Sequence, residues 1–122
     1  MERKKILIVD DDEIFLRLVE RDLSHAGYAV LTAKNGKEGV TLAQNEHPNL
    51  ILLDLDMPVV DGATASQTLK MDSKTKNIPV IFVTSLITKN EERDEHLRGG
   101  NFFMAKPYMP KELLAEIQKH VG

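Results

Sequence analysis

Three aspartates at two separate points of the chain have the chemistry to bind one cation together. Asp10 and Asp11 follow the apolar run KILIV, and Asp54 follows the apolar run LILL. Short apolar runs bounded by turn residues are typical of buried strands. Carboxylates that crowd together repel one another unless a cation compensates, and Mg²⁺ takes oxygen ligands while keeping positions for water and phosphate. We therefore predict a magnesium site at Asp10, Asp11 and Asp54.

Asp54 is also a candidate nucleophile, because carboxylates form acyl phosphates as covalent intermediates. A phosphoryl group on Asp54 needs donors for its oxygens. Thr84 offers a hydroxyl, and Lys106 offers a point charge suited to phosphate. Taken singly, such residues are more often turn, capping or solvated residues. Because each lies at or just after the end of a predicted strand, the set predicts that Asp54 accepts a phosphoryl group with Thr84 and Lys106 as its donors.

Five strand patterns alternate with five helix patterns, and this alternation must position the site. The strands are predicted at Lys5 to Asp10, Tyr28 to Ala33, Asn49 to Asp54, Pro79 to Thr84 and Asn101 to Ala105. The helices are predicted at Glu13 to His25, Asn35 to Asn45, Gly62 to Met71, Asn90 to Arg98 and from Pro110 onward. The pattern predicts an α/β fold, a doubly wound five-stranded parallel sheet of flavodoxin-like (βα)5 type. The strand order 2-1-3-4-5 would bring the candidate residues to one edge of the sheet.

Composition sets the class of protein. The chain has 122 residues, a net charge of −3 and no cysteine. That length suits a single domain spanning 1–122, and the charge indicates no nucleic-acid or membrane surface. The absence of cysteine excludes disulfides and a thiolate nucleophile. No apolar run is long enough to span a bilayer, and we expect a cytoplasmic protein.

Smaller features have ordinary structural interpretations. Asp12 is expected to cap the first helix, because acids favour helix N-termini. Asp61 and Gly62 are interpreted as a turn. The four histidines show no metal-ligand spacing and are expected at the surface.

The segments KILIVDDDE, ILLDLDMPVVDG, PVIFVTS and FFMAKPY resemble the receiver domains of two-component response regulators, and the similarity runs from Lys5 to Val121. The resemblance implies that a histidine kinase or phosphotransfer protein phosphorylates Asp54. It also implies that Mg²⁺ binds Asp10, Asp11 and the backbone carbonyl of Asp56. We expect no separate turnover substrate, and so no enzyme in the ordinary sense.

The resemblance further implies a switch and an output surface. Thr84 and Phe103 match the switch residues, and Lys106 is followed by Pro107, where the family usually has a cis peptide. An unknown output partner would bind the face formed by helix 4, strand 5 and helix 5, and the protein would be a monomer or weak dimer. Helix 4 has few apolar residues, so we expect it to be weakly anchored.

The sequence departs from the family pattern, or has a residue at a variable position of it, at five positions. Phe103 stands where the family often has Tyr, Phe102 where it usually has a polar residue, and Tyr108 where it often has Phe. If Phe102 is exposed, it would mark a partner surface. Asp56 and Leu86 occupy two variable positions beside the phosphorylation site.

For Leu86 the hypothesis is that its side chain hinders water and slows loss of the phosphoryl group. A dephosphorylation rate that rises little in Leu86→Ala would contradict it. For the side chain of Asp56, the sequence leaves open whether it tunes the lifetime of the phosphoryl group or the affinity for the metal.

Two alternatives stay open. Asp54-Leu55-Asp56 also resembles the Asp-x-Asp motif of haloacid dehalogenase-like phosphohydrolases, with Asp56 as acid/base. The second alternative is a receiver-like docking module that takes no phosphate.

Overall fold

The computed structural model describes residues 3–57, 61–85, 102–106 and 108–121, without the side chains of 61–63. The strands are β1 (Lys5–Val9), β2 (Ala29–Ala33), β3 (Leu50–Asp54), β4 (Val80–Thr84) and β5 (Phe102–Ala105). The helices are α1 (Glu13–His25), α2 (Gly36–Glu46), α3 (Asp61–Met71) and a C-terminal helix (Pro110–Val121). The predicted helix at Asn90 to Arg98, together with Leu86 and Pro107, lies outside the described residues.

The five strands form one parallel sheet in the order β2-β1-β3-β4-β5. The predicted strand order is therefore confirmed. Parallel neighbours need crossover connections, and helices supply them. Because β1 and β3 are neighbours in the centre, the chain reverses its direction of winding between them. That reversal opens a crevice at the carboxyl ends of these two strands, where sheets of this type bind ligands.

Helices cover both faces of the sheet, as a parallel sheet requires. On one face α1 and the C-terminal helix pack against alternate strand residues, and the buried cluster contains Ile6, Ile8, Leu16, Val19, Leu23, Leu52, Val83, Met104, Leu113 and Ile117. On the other face α2 and α3 contribute to a second cluster, which contains Leu7, Val9, Ala43, Ile51, Leu53, Ala65, Leu69 and Phe82. All five residues of β3 are buried, because helices cover it on both sides. The strand that presents Asp54 is therefore the most completely buried in the sheet.

Local chemistry sets the ends of the helices. Asp12 caps α1 as predicted, and its Oδ1 accepts hydrogen bonds from the backbone amides of Ile14 at 3.0 Å and Phe15 at 3.2 Å. Asn35 caps α2 by accepting from the Glu38 amide at 2.8 Å. His47 ends α2 in the left-handed conformation, with φ of 48°.

Two sequence expectations need correction. Asp61 and Gly62 are the first residues of α3 and not a separate turn, since an acid near a helix N-terminus is favoured by the helix dipole. His120 is half-buried, because its ring packs edge-to-face on Phe102 with centroids 4.3 Å apart. His25 and His47 are exposed, as expected. Within the described ranges, no helix is long and apolar enough to cross a membrane.

Candidate functional site

The acidic cluster forms at the carboxyl edge of the sheet. Asp10 and Asp11 directly follow β1, and Asp54 is the last residue of the neighbouring β3. One carboxylate oxygen from each of the three residues lies within 4.8 Å of the others. Asp10 and Asp54 are buried and Asp11 is exposed, so the cluster opens to solvent on one side. The structure thus brings together the three acids that the sequence predicts as metal ligands.

The buried position of Asp10 disfavours the ionised form of its carboxyl group. Burial raises its pKa, and the nearby charge of Asp54 raises it further. A hydrogen bond from the Asp12 amide to Asp10 Oδ1, at 2.9 Å, opposes that rise. The net result is a pKa of about 6, well above the ordinary value. Because burial and the charge of Asp54 both disfavour the ionised form of Asp10, a cation bound beside it would stabilise that form.

Lys106 supplies the protein's own positive charge. Its Nζ donates to Asp54 Oδ1 at 2.9 Å, across 52 residues of sequence. Burial lowers the pKa of Lys106, but the hydrogen bond and charge of Asp54 outweigh burial, and the pKa is raised overall. Lys106 therefore stays an ammonium ion. The backbone holds it there, because the Lys106 amide donates to the Thr84 carbonyl at 2.9 Å.

Asp54 accepts its described hydrogen bonds on one oxygen. The backbone amide of Asp56 also donates to Asp54 Oδ1, at 2.9 Å. Oδ1 is therefore fixed by an amide and an ammonium group. Among the described residues, Oδ2 is the oxygen of Asp54 left with lone pairs for chemistry.

The Asp56 side chain connects the ends of β4 and β5. Asp56 Oδ1 accepts from the Thr84 hydroxyl at 2.7 Å, and Asp56 Oδ2 accepts from the Ser85 amide at 2.8 Å. Oδ2 also lies 3.5 Å from Lys106 Nζ. Burial raises the pKa of Asp56, but the hydrogen bonds from Thr84 and Ser85 outweigh it, and the pKa is lowered overall. Asp56 is therefore an ionised acceptor.

A cavity of about 390 Å³ opens over the acids and Lys106, and its wall includes Phe15 and Tyr108. The two rings pack edge-to-face with centroids 5.9 Å apart. The Tyr108 hydroxyl is buried and has no hydrogen-bond partner in the described part of the chain. Burial raises the pKa of this phenol above its ordinary value, so it stays protonated.

Sequence reasoning missed several members of this site. Nothing in the sequence marks Phe15 as a residue of the site, and Tyr108 stands out there only as a departure from the family pattern. The Ser85 amide gave no signal beyond its place directly after Thr84.

The predicted switch residue Phe103 is half-buried and packs on Phe82, with ring centroids 5.2 Å apart.

Comparison with known proteins assigns the family. The family described as Response regulator receiver domain matches residues 6–118. The chain therefore belongs to the response regulator receiver domain family, as the sequence motifs indicated. Members of this family are signalling proteins of two-component systems.

Relatives fall into two groups by length. "Probable transcriptional regulator ycf27" of Cyanophora paradoxa is 41% identical over 116 residues, which are 95% of this chain and 47% of that protein. The chain thus spans about half the length of the first curated relatives it matches. "Polar-differentiation response regulator DivK" of Brucella ovis is 31% identical over 119 residues, which are 98% of this chain and 97% of that protein.

Among solved structures, the receiver domain of sensor histidine kinase PA1611 from Pseudomonas aeruginosa PAO1 superimposes with a TM-score of 0.84. It is 26% identical, and the match covers 99% of both chains. That crystal structure has a magnesium ion coordinated in its active-site cleft.

Proposed function

We propose that this chain accepts a phosphoryl group on Asp54 from the phosphohistidine of a histidine kinase or phosphotransfer protein. The observation that carries the proposal is a buried carboxylate with two opposite kinds of neighbour. Lys106 Nζ contacts Asp54 at 2.9 Å, and the carboxylates of Asp10 and Asp11 lie within 4.8 Å. This is the arrangement needed to bind a metal ion and a phosphoryl group side by side.

The residues present fit a magnesium ion. The donors are hard carboxylate oxygens at the ends of two adjacent strands, and burial together with the charge of Asp54 raises the pKa of Asp10, so a cation would stabilise its ionised form. Asp10, Asp11 and Asp54 would hold the ion with the backbone carbonyl of Asp56. When bound, Mg²⁺ supplies positive charge that reduces repulsion between these acids and the incoming phosphoryl group. The magnesium ion in the related PA1611 receiver domain supports this assignment.

The transfer step follows from the hydrogen bonds on Asp54. Because Oδ1 is occupied by the Asp56 amide and Lys106, Oδ2 is the attacking oxygen. A new P–O bond forms as the P–N bond of the phosphohistidine breaks. The electron pair of that bond returns to the imidazole nitrogen, and neutral histidine leaves when its other ring nitrogen carries a proton. Lys106 stabilises the negative charge on the transferred oxygens.

The phosphohydrolase alternative is disfavoured by the state of Asp56. A general acid must carry a proton near the working pH. Hydrogen bonds from Thr84 and Ser85 keep the pKa of Asp56 below its ordinary value. The same hydrogen bonds engage both carboxylate oxygens of Asp56 as acceptors, which does not suit a group that must donate a proton to a leaving group. We therefore propose no turnover substrate.

The output surface is proposed on the side of the molecule that carries β5. Thr84 would move to the phosphoryl oxygens, and Phe103 would pack into the space it leaves, which couples the site to this side. Phe102 on β5 is 43% exposed and packs against His120 of the C-terminal helix, so it could contact a partner. We propose that the face of β5, the C-terminal helix and the predicted fourth helix binds the output partner. Residues 1–122 would form one receiver domain, a monomer or weak dimer.

Incubation with acetyl phosphate and Mg²⁺, followed by intact mass spectrometry, tests the phosphoacceptor role. Wild type should gain one phosphoryl group, and Asp54→Asn should gain none. Asp12→Asn is a matched control, because it changes an acid of the same cavity that caps α1. It should be labelled like wild type. An unlabelled wild-type protein that also fails to bind Mg²⁺ would instead support the docking-module alternative.

A further inference from the structure

The carboxylate of Asp56 binds three groups that a phosphoryl group would need. Its Oδ1 accepts from the Thr84 hydroxyl at 2.7 Å, and its Oδ2 accepts from the Ser85 amide at 2.8 Å. Lys106 Nζ lies 3.5 Å from the same Oδ2. A hydroxyl, a backbone amide and an ammonium group are also the donors that proteins use for phosphate oxygens. Asp56 thus takes the place of the phosphoryl oxygens at the ends of β4 and β5.

The hydroxyl cannot serve both acceptors at once. A threonine hydroxyl has one proton to donate. While Thr84 donates to Asp56, that proton is not donated to a phosphoryl group on Asp54. Lys106 differs, because an ammonium group has three protons and already contacts Asp54 and Asp56 together. Competition therefore centres on Thr84.

The negative charge of the Asp56 carboxylate also opposes binding of a phosphoryl group at Asp54. Asp56 is ionised and only two residues from Asp54, with its backbone amide bonded to the Asp54 carboxylate. A phosphoryl group on Asp54 adds negative charge close to the Asp56 carboxylate. Like charges at short range in a partly buried site repel each other.

We propose that the Asp56 side chain is a positioning residue that stabilises the unphosphorylated site by holding Thr84, and so opposes phosphoryl binding at Asp54. This inference rests on the proposed function. On this inference the side chain of Asp56 affects how tightly the site binds a phosphoryl group, and it does not affect the affinity for the metal. Phosphorylation must break the contact between Asp56 and Thr84 before Thr84 reaches the phosphoryl oxygens.

Beryllofluoride, a non-covalent phosphoryl mimic, gives a direct test. Its affinity is measured by calorimetry at saturating Mg²⁺ for wild type and Asp56→Asn, and the Mg²⁺ affinity of each is measured separately. Asp56→Asn has the same shape but no charge, so it holds Thr84 less strongly. Because Asn still accepts a hydrogen bond, the variant loses only the difference between a charged and a neutral acceptor, and it should bind the mimic roughly fivefold to tenfold tighter. Asp12→Asn removes another acid of the same cavity and should leave the affinity within about twofold, because the described hydrogen bonds of the Asp12 side chain are with the backbone amides of Ile14 and Phe15.

A double-mutant cycle separates competition for the hydroxyl from simple repulsion. In a Thr84→Ala background there is no hydroxyl for Asp56 and the mimic to compete for. The increase in beryllofluoride affinity caused by Asp56→Asn should therefore be at least about threefold smaller than in wild type. If Asp56→Asn increases the affinity equally in both backgrounds, charge repulsion alone explains the effect, and the proposal that Asp56 acts by holding the Thr84 hydroxyl is wrong. A merely structural role for Asp56 would lower stability without tightening the mimic.

The outcomes also distinguish this inference from the proposed function. If wild type binds Mg²⁺ and beryllofluoride but Asp56→Asn binds the mimic no more tightly, the inference fails and the proposed function stands. If Asp56→Asn changes only the Mg²⁺ affinity, Asp56 acts on the metal and the inference is again wrong. If wild type binds neither Mg²⁺ nor the mimic and Asp54 is not labelled by acetyl phosphate, both fail together.

Discussion

Replacing Asp10 by Asn should stabilise the metal-free protein at neutral pH. The pKa of Asp10 is about 6 in the fold, against 3.8 for the free side chain. Each unit of pKa corresponds to about 1.4 kcal/mol, so the ionised Asp10 destabilises the fold by on the order of 2 to 3 kcal/mol above pH 6. Asn keeps an oxygen to accept the 2.9 Å hydrogen bond from the Asp12 amide. The variant therefore removes the unfavourably buried negative charge with little change in the shape of the side chain.

The sign of the pH dependence follows from the raised pKa. Between about pH 4 and pH 6 the folded protein binds a proton at Asp10 that the unfolded chain has released. Stability from this residue is therefore lost as pH rises through that window. The advantage of Asp10→Asn should be largest near pH 7.5 and should vanish near pH 4.

Urea unfolding in EDTA at pH 7.5 and at pH 4 measures both parts of this prediction. Asp12→Asn is the matched control, since Asn caps a helix about as well as Asp and its stability should change little. A variant Asp10→Asn that is no more stable than wild type at pH 7.5 would refute the reasoning. An advantage of equal size at both pH values would refute it too, because the gain would then come from something other than ionisation.

Three further predictions concern stability. Mg²⁺ at about 100 times its dissociation constant should stabilise wild type by about 2.7 kcal/mol, and it should stabilise Asp10→Asn by less. Thermal unfolding in EDTA and in Mg²⁺ measures both effects. No shift of the unfolding temperature in wild type would exclude the metal site. Tyr108→Phe should raise the unfolding free energy by about 1 kcal/mol, because it removes a buried hydroxyl without a hydrogen-bond partner in the described residues; a loss of stability in urea unfolding would mean that the hydroxyl is satisfied. Gly39→Ala should destabilise by about 1 kcal/mol or more, since a Cβ there would lie 2.7 Å from Val9 Cγ2. In a Val9→Ala background the same change should be neutral or stabilising, and a cost of equal size there would argue against the clash.

Periodicity and strand-end rules predict much of this structure. The bounds of α1 agree with its apolar spacing and its Asp12 cap. The convergence of Asp10, Asp54 and Lys106 follows from the strand order alone, because parallel strands share a carboxyl edge. Strand β2 begins at Ala29, one residue later than predicted, because the chain first turns through Gly27 at φ of 101°.

The direction of side chains beyond the last strand residue was not predictable. Periodicity of two fixes which face a residue takes within a strand, but Asp56 lies past the end of β3. Its contacts with Thr84 and Ser85 depend on the path of the loop, which short-range pattern does not encode. Asp61 shows the same limit, since an Asp-Gly pair suits both a turn and the first turn of a helix.

The site is assembled from widely separated parts of the chain, and this has a consequence for folding. All three acids lie within the first 54 residues, whereas the ammonium group that contacts Asp54 comes 52 residues later, after the final strand. During synthesis the three acids are therefore added to the chain well before the lysine that contacts Asp54. Docking of β5 beside β4 brings in the compensating charge together with the last ladder of backbone hydrogen bonds. The contact between Lys106 and Asp54 thus needs β5 in place beside β4, which ties completion of the phosphoryl site to completion of the sheet.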